Sequence, residues 1–248
     1  MFFDKFAHEI HLDIMKKIAV IWDLDGTLID SLQDLHDAVN HALAEFGYHP
    51  RTIDEVRAFV GNGVRKLVER ALFRPYASGE TNADVSDARF EQVFAEFRRW
   101  YVAHCQDNTR PYAGVMECLH SLHEKGVSMA IVSNKLQAGV TEIYDKWFAG
   151  VIDVAIGERQ GVARKPARDM VDLALNELTK LAGQDFERVW YVGDSEVDVQ
   201  TARNASLPCI SALWGFRTRE QLTAAGATHF AQQPEEIICD IEHKQEKD

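Results

Sequence analysis

Lys16-Lys17-Ile18-Ala19-Val20-Ile21-Trp22-Asp23-Leu24-Asp25-Gly26-Thr27-Leu28 is the stretch around which this chain is organised. A short apolar, β-branched run that stops at two acids predicts a buried parallel strand carrying carboxylates to its C-terminal edge, where open α/β sheets bind ligands. Residues two apart on extended backbone face the same way, so Asp23 and Asp25 are expected to meet one ligand or metal. Gly26 lets the chain turn at once.

Downstream of Thr27 the pattern becomes helical. Asp30-Ser31 offers a cap, and Leu32, Leu35, Val39, Leu43 and Phe46 form a stripe that Gly47 stops. Thr52-Ile53-Asp54-Glu55 is a capping-box pattern, Gly61-Asn62-Gly63 breaks the chain, and Val64, Leu67, Val68, Ala71 and Leu72 resume the period. After a polar loop from Pro75 to Asp84, Phe90, Val93, Phe94, Phe97 and Tyr101 mark one long helix that ends before Pro111-Tyr112-Ala113-Gly114.

Strands and helices alternate from there on. Helices are predicted over Val115 to Lys125, Leu136 to Trp147, Asp169 to Leu181 and Val197 to Ala205, with strands over Val127 to Val132, Ile152 to Ile156, Val189 to Val192 and Cys209 to Ala212. A helix opening at Thr218, a short strand from Thr228 to Ala231 and a helix at Glu235-Glu236 complete the series. The expected fold class is therefore α/β, a doubly wound parallel sheet with a Rossmann-like core and an inserted small helical cap domain. Residues 15–30 and 111–248 form the α/β core on this reading, residues 31–110 the cap, and residues 1–14 an N-terminal extension. The cap is expected to act as a lid over the carboxyl ends of the strands, with hinges near Thr27 to Asp30 and Arg110 to Gly114.

Composition narrows the function. With 248 residues, 46% hydrophobic and 27% charged, the chain can bury a full core. A formal charge of -12 argues against nucleic-acid or anionic-membrane surfaces, which need clustered Lys and Arg. No window approaches the ~20 apolar residues of a membrane span. Asp4, Lys5 and Glu9 interrupt any signal-peptide core, and Met15 would be an equally natural start. Cys105, Cys118, Cys209 and Cys239 lie far apart without a CxxC pair and read as reduced, buried thiols of a cytoplasmic protein.

Three later strand ends return chemistry to the same sheet edge. Ser133-Asn134-Lys135 offers a hydroxyl and backbone N–H groups to a phosphoryl oxygen, Lys165-Pro166 places an ammonium beside a helix start, and Gly193-Asp194-Ser195-Glu196-Val197-Asp198 adds acids. Asp23, Asp25, Asp194 and Asp198 gathered at one point would repel by ~4 kcal/mol per pair at 4 Å and an effective dielectric near 20. A divalent cation resolves the conflict, and hard oxygen ligands without a His or Cys cluster point to Mg2+.

Asp23-Leu24-Asp25-Gly26-Thr27, Ser133-Asn134, Lys165-Pro166 and Gly193-Asp194-Ser195-x-x-Asp198 together resemble the four ordered motifs of the haloacid dehalogenase superfamily, from about Lys16 to Ile238. Gly61-Asn62-Gly63 with the helix after it, and Trp214-Gly215-Phe216-Arg217, resemble the phosphoglycolate phosphatase branch. Ala167-Arg168-Asp169 departs from it, since a second proline is frequent there.

That resemblance implies a phosphatase acting on a small-molecule phosphate ester, 2-phosphoglycolate or a related compound, as monomer or homodimer. Asp23 would be the nucleophile and Asp25 the acid and base. Mg2+ would sit on the Asp23 carboxylate, the Asp25 carbonyl and Asp194, with Asp198 behind or bonded through water. Ser133 and Lys165 would hold the phosphoryl group, Thr27 would brace the loop, and Asn134 would contribute mainly through its backbone. In the cap, Gly61, Asn62 and Gly63 are candidate substrate contacts, whereas Arg65, Lys66 and Arg70 fit a solvated helix face better. A β-phosphoglucomutase-like mutase and a pyrophosphatase or nucleotide phosphatase share these motifs and stay open. A phospho-aspartate receiver switch is disfavoured, because the paired acids close the first strand and a large insertion follows.

Overall fold

The computed structural model describes residues 14–76, 78–82 and 85–243. The predicted extension, apart from Ile14, and residues 77, 83 and 84 of the polar loop lie outside them. The chain divides into two compact units, residues 1–28 with 111–248 and residues 29–110. The two chain crossings between them, β2 (Ile29–Asp30) and β3 (Arg110–Pro111), pair as a two-stranded ribbon.

The first unit is built on a six-stranded sheet in the order β5-β4-β1-β6-β7-β8. Its strands are β1 (Ile18–Trp22), β4 (Ser128–Leu136), β5 (Val154–Glu158), β6 (Arg188–Gly193), β7 (Cys209–Ala212) and β8 (Phe230–Ala231). Every pairing is parallel. The helices between them are α5 (Val115–Glu124), α6 (Gln137–Ile143), α7 (Asp169–Ala182), α8 (Glu196–Asn204), α9 (Arg219–Ala224) and α10 (Pro234–His243). β1 lies at the centre because both of its faces are apolar. Ala19 and Ile21 pack with Ala130, Val132 and Tyr191 against Met170, Val171, Ala174 and Leu178 of α7. Ile18, Val20 and Trp22 point the other way and are as fully buried. The strand order reverses at β1, with β4 and β5 added on one side and β6, β7 and β8 on the other, and that reversal places a crevice at the carboxyl ends of β1 and its neighbours.

Most predicted elements appear within a residue or two, and three differ in physically instructive ways. The strand expected to stop at Val132 runs to Leu136, because Leu136 still pairs with Glu158 across a register irregularity. The strand expected over Ile152 to Ile156 is Val154–Glu158. The helix expected over Leu136 to Trp147 is α6 followed by a wide π-helical turn, Tyr144–Phe148, whose Tyr144 hydroxyl donates to Ile152 O.

The second unit is helical, with α1 (Leu32–Glu45), α2 (Ile53–Phe59), α3 (Val64–Phe73) and α4 (Asp87–His104). The box at Thr52 is formed, since its backbone N–H donates to Glu55 Oε2 at 2.8 Å and its hydroxyl accepts from Glu55 N at 3.3 Å. Two buried charges tie the unit together. Asp34 on α1 accepts from the Asn108 backbone and side-chain amides, both 2.9 Å, and from Thr109 N and Oγ1 at 2.9 and 2.7 Å. Arg51 is 1% exposed; its Nε donates to Ala71 O at 2.8 Å and Nη1 to Glu55 Oε1 at 2.9 Å, and its guanidinium lies 3.6 Å from the Tyr76 ring centre. Among the described residues no helix is long and apolar enough to cross a membrane. None of the four cysteines is in a disulfide; Cys105 and Cys118 are buried and Cys209 half-buried, but Cys239 is exposed, which corrects the expectation of four buried thiols. Its place on the outward face of α10 is the reason.

Candidate active site

Asp23 leaves β1 directly after Trp22, its N–H donating to Val192 O on β6 at 2.8 Å. That bond carries the sheet ladder one step further and holds the Asp23 carboxylate beside the end of β6, where Asp194 follows Gly193. Lys165, in the loop before α7, reaches under both: its ammonium donates to Asp23 Oδ1 at 2.6 Å, Asp198 Oδ1 at 2.8 Å and the Tyr191 hydroxyl at 3.1 Å. Three acceptors match the three N–H bonds of an ammonium. The Tyr191 hydroxyl donates in turn to Asp198 Oδ1 at 3.0 Å.

Asp198, on the first turn of α8, is held from both sides. Its Oδ2 accepts from Ser195 N at 3.0 Å and Ser195 Oγ at 2.6 Å. Gly193 permits this, because a Cβ there would stand 2.3 Å from Asp198 Cβ. Asp194 is fixed equally well, with Oδ1 accepting from Thr27 Oγ1 at 3.1 Å and Oδ2 from Phe216 N at 2.7 Å. Gly26, at φ +95, lies so near that an added Cβ would stand 2.5 Å from Asp194 Oδ2. Trp214 Nε1 donates to Thr27 O at 2.9 Å, so the loop after β7 and the turn after β1 brace Asp194 together.

Asp23, Asp194 and Asp198 bring ligand oxygens within 4.8 Å of one another, all buried. Burial, and then the Asp198 carboxylate, push Asp194 up to about 7. Asp23 is raised by the same two causes, with Lys165 opposing them. Burial works against the charge on Lys165, but Asp198 and Asp23 outweigh it and hold the ammonium well above its ordinary range. Three crowded acids beside one ammonium leave excess negative charge, and the donor set is oxygen alone. Those are the conditions a hard divalent cation satisfies, and the cluster fits one. Asp23 and Asp194 face it best, since both Asp198 oxygens already accept two bonds each.

Other predicted residues take different places. The Asp25 carboxylate is not one of the three clustered acids; its Oδ1 accepts from Lys135 Nζ at 3.1 Å, the regular strand having ended at Trp22. Ser133 Oγ accepts from Lys135 N at 3.1 Å, and the Asn134 side chain donates from Nδ2 to Lys165 O at 3.0 Å. Gly61, Asn62 and Gly63 lie in the helical unit, where Asn62 Oδ1 accepts from Arg70 Nη2 at 2.6 Å. Arg65 pairs with Glu91 and Lys66 with Glu69 on exposed faces. Tyr191, Ser195, Lys135 and the Phe216 N–H carry polar contacts that sequence reading did not assign. Lys135 and Ser195 were within reach of it, adjacent to motif residues, whereas a tyrosine inside a strand and a backbone N–H carry no signal.

Residues 20–212 match the family described as haloacid dehalogenase-like hydrolase. The chain is similar to a phosphoglycolate phosphatase of Pseudomonas putida, 38% identical over 198 residues, 79% of this chain and 70% of that protein. It is similar also to one of Rhodobacter capsulatus, 36% identical over 200 residues, 80% and 85% of the two chains. A Lactobacillus delbrueckii subsp. bulgaricus crystal structure, provisionally called a phosphoglycolate phosphatase, superposes with a TM-score of 0.81 at 34% identity over 90% of this chain and 97% of that one. With its family match and these relatives agreeing over most of its length, the chain belongs to the haloacid dehalogenase-like hydrolases.

Proposed function

We propose that this hydrolase is a Mg2+-dependent phosphatase that cleaves a small phosphate monoester, best 2-phosphoglycolate or a near relative, through an aspartyl-phosphate on Asp23. The observation that carries the reading is the Asp23 carboxylate, 2.6 Å from the Lys165 ammonium and among three acids at the end of the central strand. The relatives named phosphoglycolate phosphatase support the substrate.

In the first step an Asp23 oxygen attacks phosphorus, the bond from phosphorus to the ester oxygen breaks, and the departing alcohol takes a proton from the Asp25 carboxyl. In the second, water gives a proton back to Asp25 and attacks phosphorus, and the bond to Asp23 breaks. The sum is ester plus water to alcohol plus phosphate, with both acids restored. Lys165, held by Asp198 and Tyr191, and Ser133 would neutralise the phosphoryl oxygens, and Thr27 and Phe216 N would keep Asp194 oriented. Asp23, Asp194 and the Asp25 carbonyl would hold Mg2+, which would supply charge neutralisation to the phosphoryl group. Gly61, Asn62 and Gly63 remain the candidates for reading the rest of the ester.

Phosphate release from 2-phosphoglycolate, sugar phosphates, nucleotides and pyrophosphate, assayed with Mg2+ and with a chelator, tests this. The highest kcat/KM is expected for 2-phosphoglycolate, with turnover lost on chelation. Full turnover under chelation, or isomerisation of a sugar phosphate without phosphate release, would refute it.

A further inference from the structure

Each acid of the opening stretch has its own buried lysine. Lys165 holds Asp23, and Lys135 holds Asp25 at 3.1 Å, the Lys135 and Asp25 side chains being 5% and 16% exposed. Burying an ammonium costs several kcal/mol unless it is paired, so a lysine at this place needs a reason.

The position of Lys135 is set by more than its ion pair. Its backbone N–H donates to Ser133 Oγ at 3.1 Å, which ties it to the end of β4. Its methylenes run past Gly139 in α6, where an added Cβ would stand 3.4 Å from Cε, 3.6 Å from Cδ and 3.7 Å from Cγ. The stem therefore lies against this helix at ordinary van der Waals distance. Asp25, in contrast, follows the end of a strand at a turn and carries two rotatable side-chain bonds. Left to rotate, its carboxyl would spend much of its time away from the ester oxygen, and a misplacement of about 1 Å costs on the order of 10²-fold in rate.

We infer that Lys135 is a positioning residue: its backbone N–H is tied to the Ser133 hydroxyl and its stem lies along α6, and from there its ammonium holds the Asp25 carboxyl where the leaving oxygen and later the attacking water exchange protons. The inference rests on the reading of Asp25 as acid and base. Lys135 acts through Asp25 and not on phosphate, so its loss should look like partial loss of Asp25.

The test compares K135M, K135R, D25N and K135M/D25N on an alkyl phosphate, whose leaving group needs a proton, and on p-nitrophenyl phosphate, whose leaving group does not, all with Mg2+. K135M should lower kcat for the alkyl ester by about 10- to 100-fold with KM changed less than about threefold. Formation of phosphoryl-Asp23 from the aryl ester should stay within a few-fold of wild type while its hydrolysis slows. K135R should recover part of the alkyl kcat, and the double variant should be no slower than D25N. Equal loss on the aryl and alkyl first steps, a rise in KM at unchanged kcat, or additive losses in the double variant would overturn the inference. If D25N itself hydrolyses the alkyl ester at the wild-type rate, the reading of Asp25 fails; if D25N is impaired and K135M is not, only the role of Lys135 fails. Should K135M not fold, K135Q is read by the same criteria.

Discussion

Stripped of divalent metal, the α/β unit is expected to lose stability as pH rises, the reverse of what paired carboxylates usually give. Burial and the Asp198 carboxylate raise Asp194 from 3.8 to about 7. A carboxyl raised on folding binds more protons folded than unfolded, so its penalty is absent below pH 3.8 and grows until pH 7. At roughly 1.4 kcal/mol per unit, that window corresponds to about 4 kcal/mol. Asp23, raised by the same causes, acts in the same direction. Glu96 runs the opposite way: hydrogen bonds from Arg99 and then His41 lower it from 4.5 to about 2, so what it contributes is lost only below pH 4.5, outside most of the window. Thermal unfolding in chelator and in saturating Mg2+ from pH 5 to pH 8 is the assay. The metal-free midpoint should fall by on the order of 10 °C, the gain from Mg2+ should widen to match, and D194N should flatten the metal-free slope. A metal-free midpoint that is level or rising with pH, with the same Mg2+ gain at both ends, would refute the reasoning.

D23N should abolish phosphate release and covalent capture of phosphate while leaving the metal-free melting midpoint no lower than wild type, because one of three crowded charges is gone; rapid-quench trapping and a melt check both halves. D34A should destabilise the helical unit by about 3–5 kcal/mol, since it strands the buried Thr109 donors and removes four hydrogen bonds to one carboxylate; denaturant unfolding measures it. R51M keeps the apolar stem but orphans Ala71 O and leaves Glu55 without its guanidinium, so a loss of about 3 kcal/mol and faster hydrogen exchange around residues 71–76 are expected.

What the sequence disclosed follows from which signals are local. The β1 run, the capping box at Thr52 and the short strand Cys209–Ala212 each formed where expected. Ser133-Asn134-Lys135 reads as a loop because it is polar, yet the strand continues through it: at the ligand edge of a parallel sheet, polar residues are strand residues. Asp34 and Arg51 were opaque for a common reason. A charge in a sequence is presumed solvated, and only the tertiary fold shows that donors 74 residues away converge on Asp34. The cluster of Asp23, Lys165, Asp194 and Asp198 was legible because the three parallel strands they follow must share one edge. The contact of Asp25 with Lys135 was not, since β1 ends at Trp22 and the alternation of extended backbone stops before either acid.

The central strand is also the first one made. Both neighbours of β1 come from the far side of the helical insertion, β4 beginning at Ser128 and β6 at Arg188. At 5–20 residues per second a ribosome needs about 5–20 s to travel the roughly 100 residues from β1 to the first of them. Throughout that interval Ile18-Ala19-Val20-Ile21-Trp22, apolar on both faces, has neither edge paired while the helical unit is itself being made. For a nascent polypeptide this is the segment a holding chaperone would grip, and Lys16-Lys17 before it and Asp23 and Asp25 after it are the charges that keep so sticky a strand from finding another copy of itself.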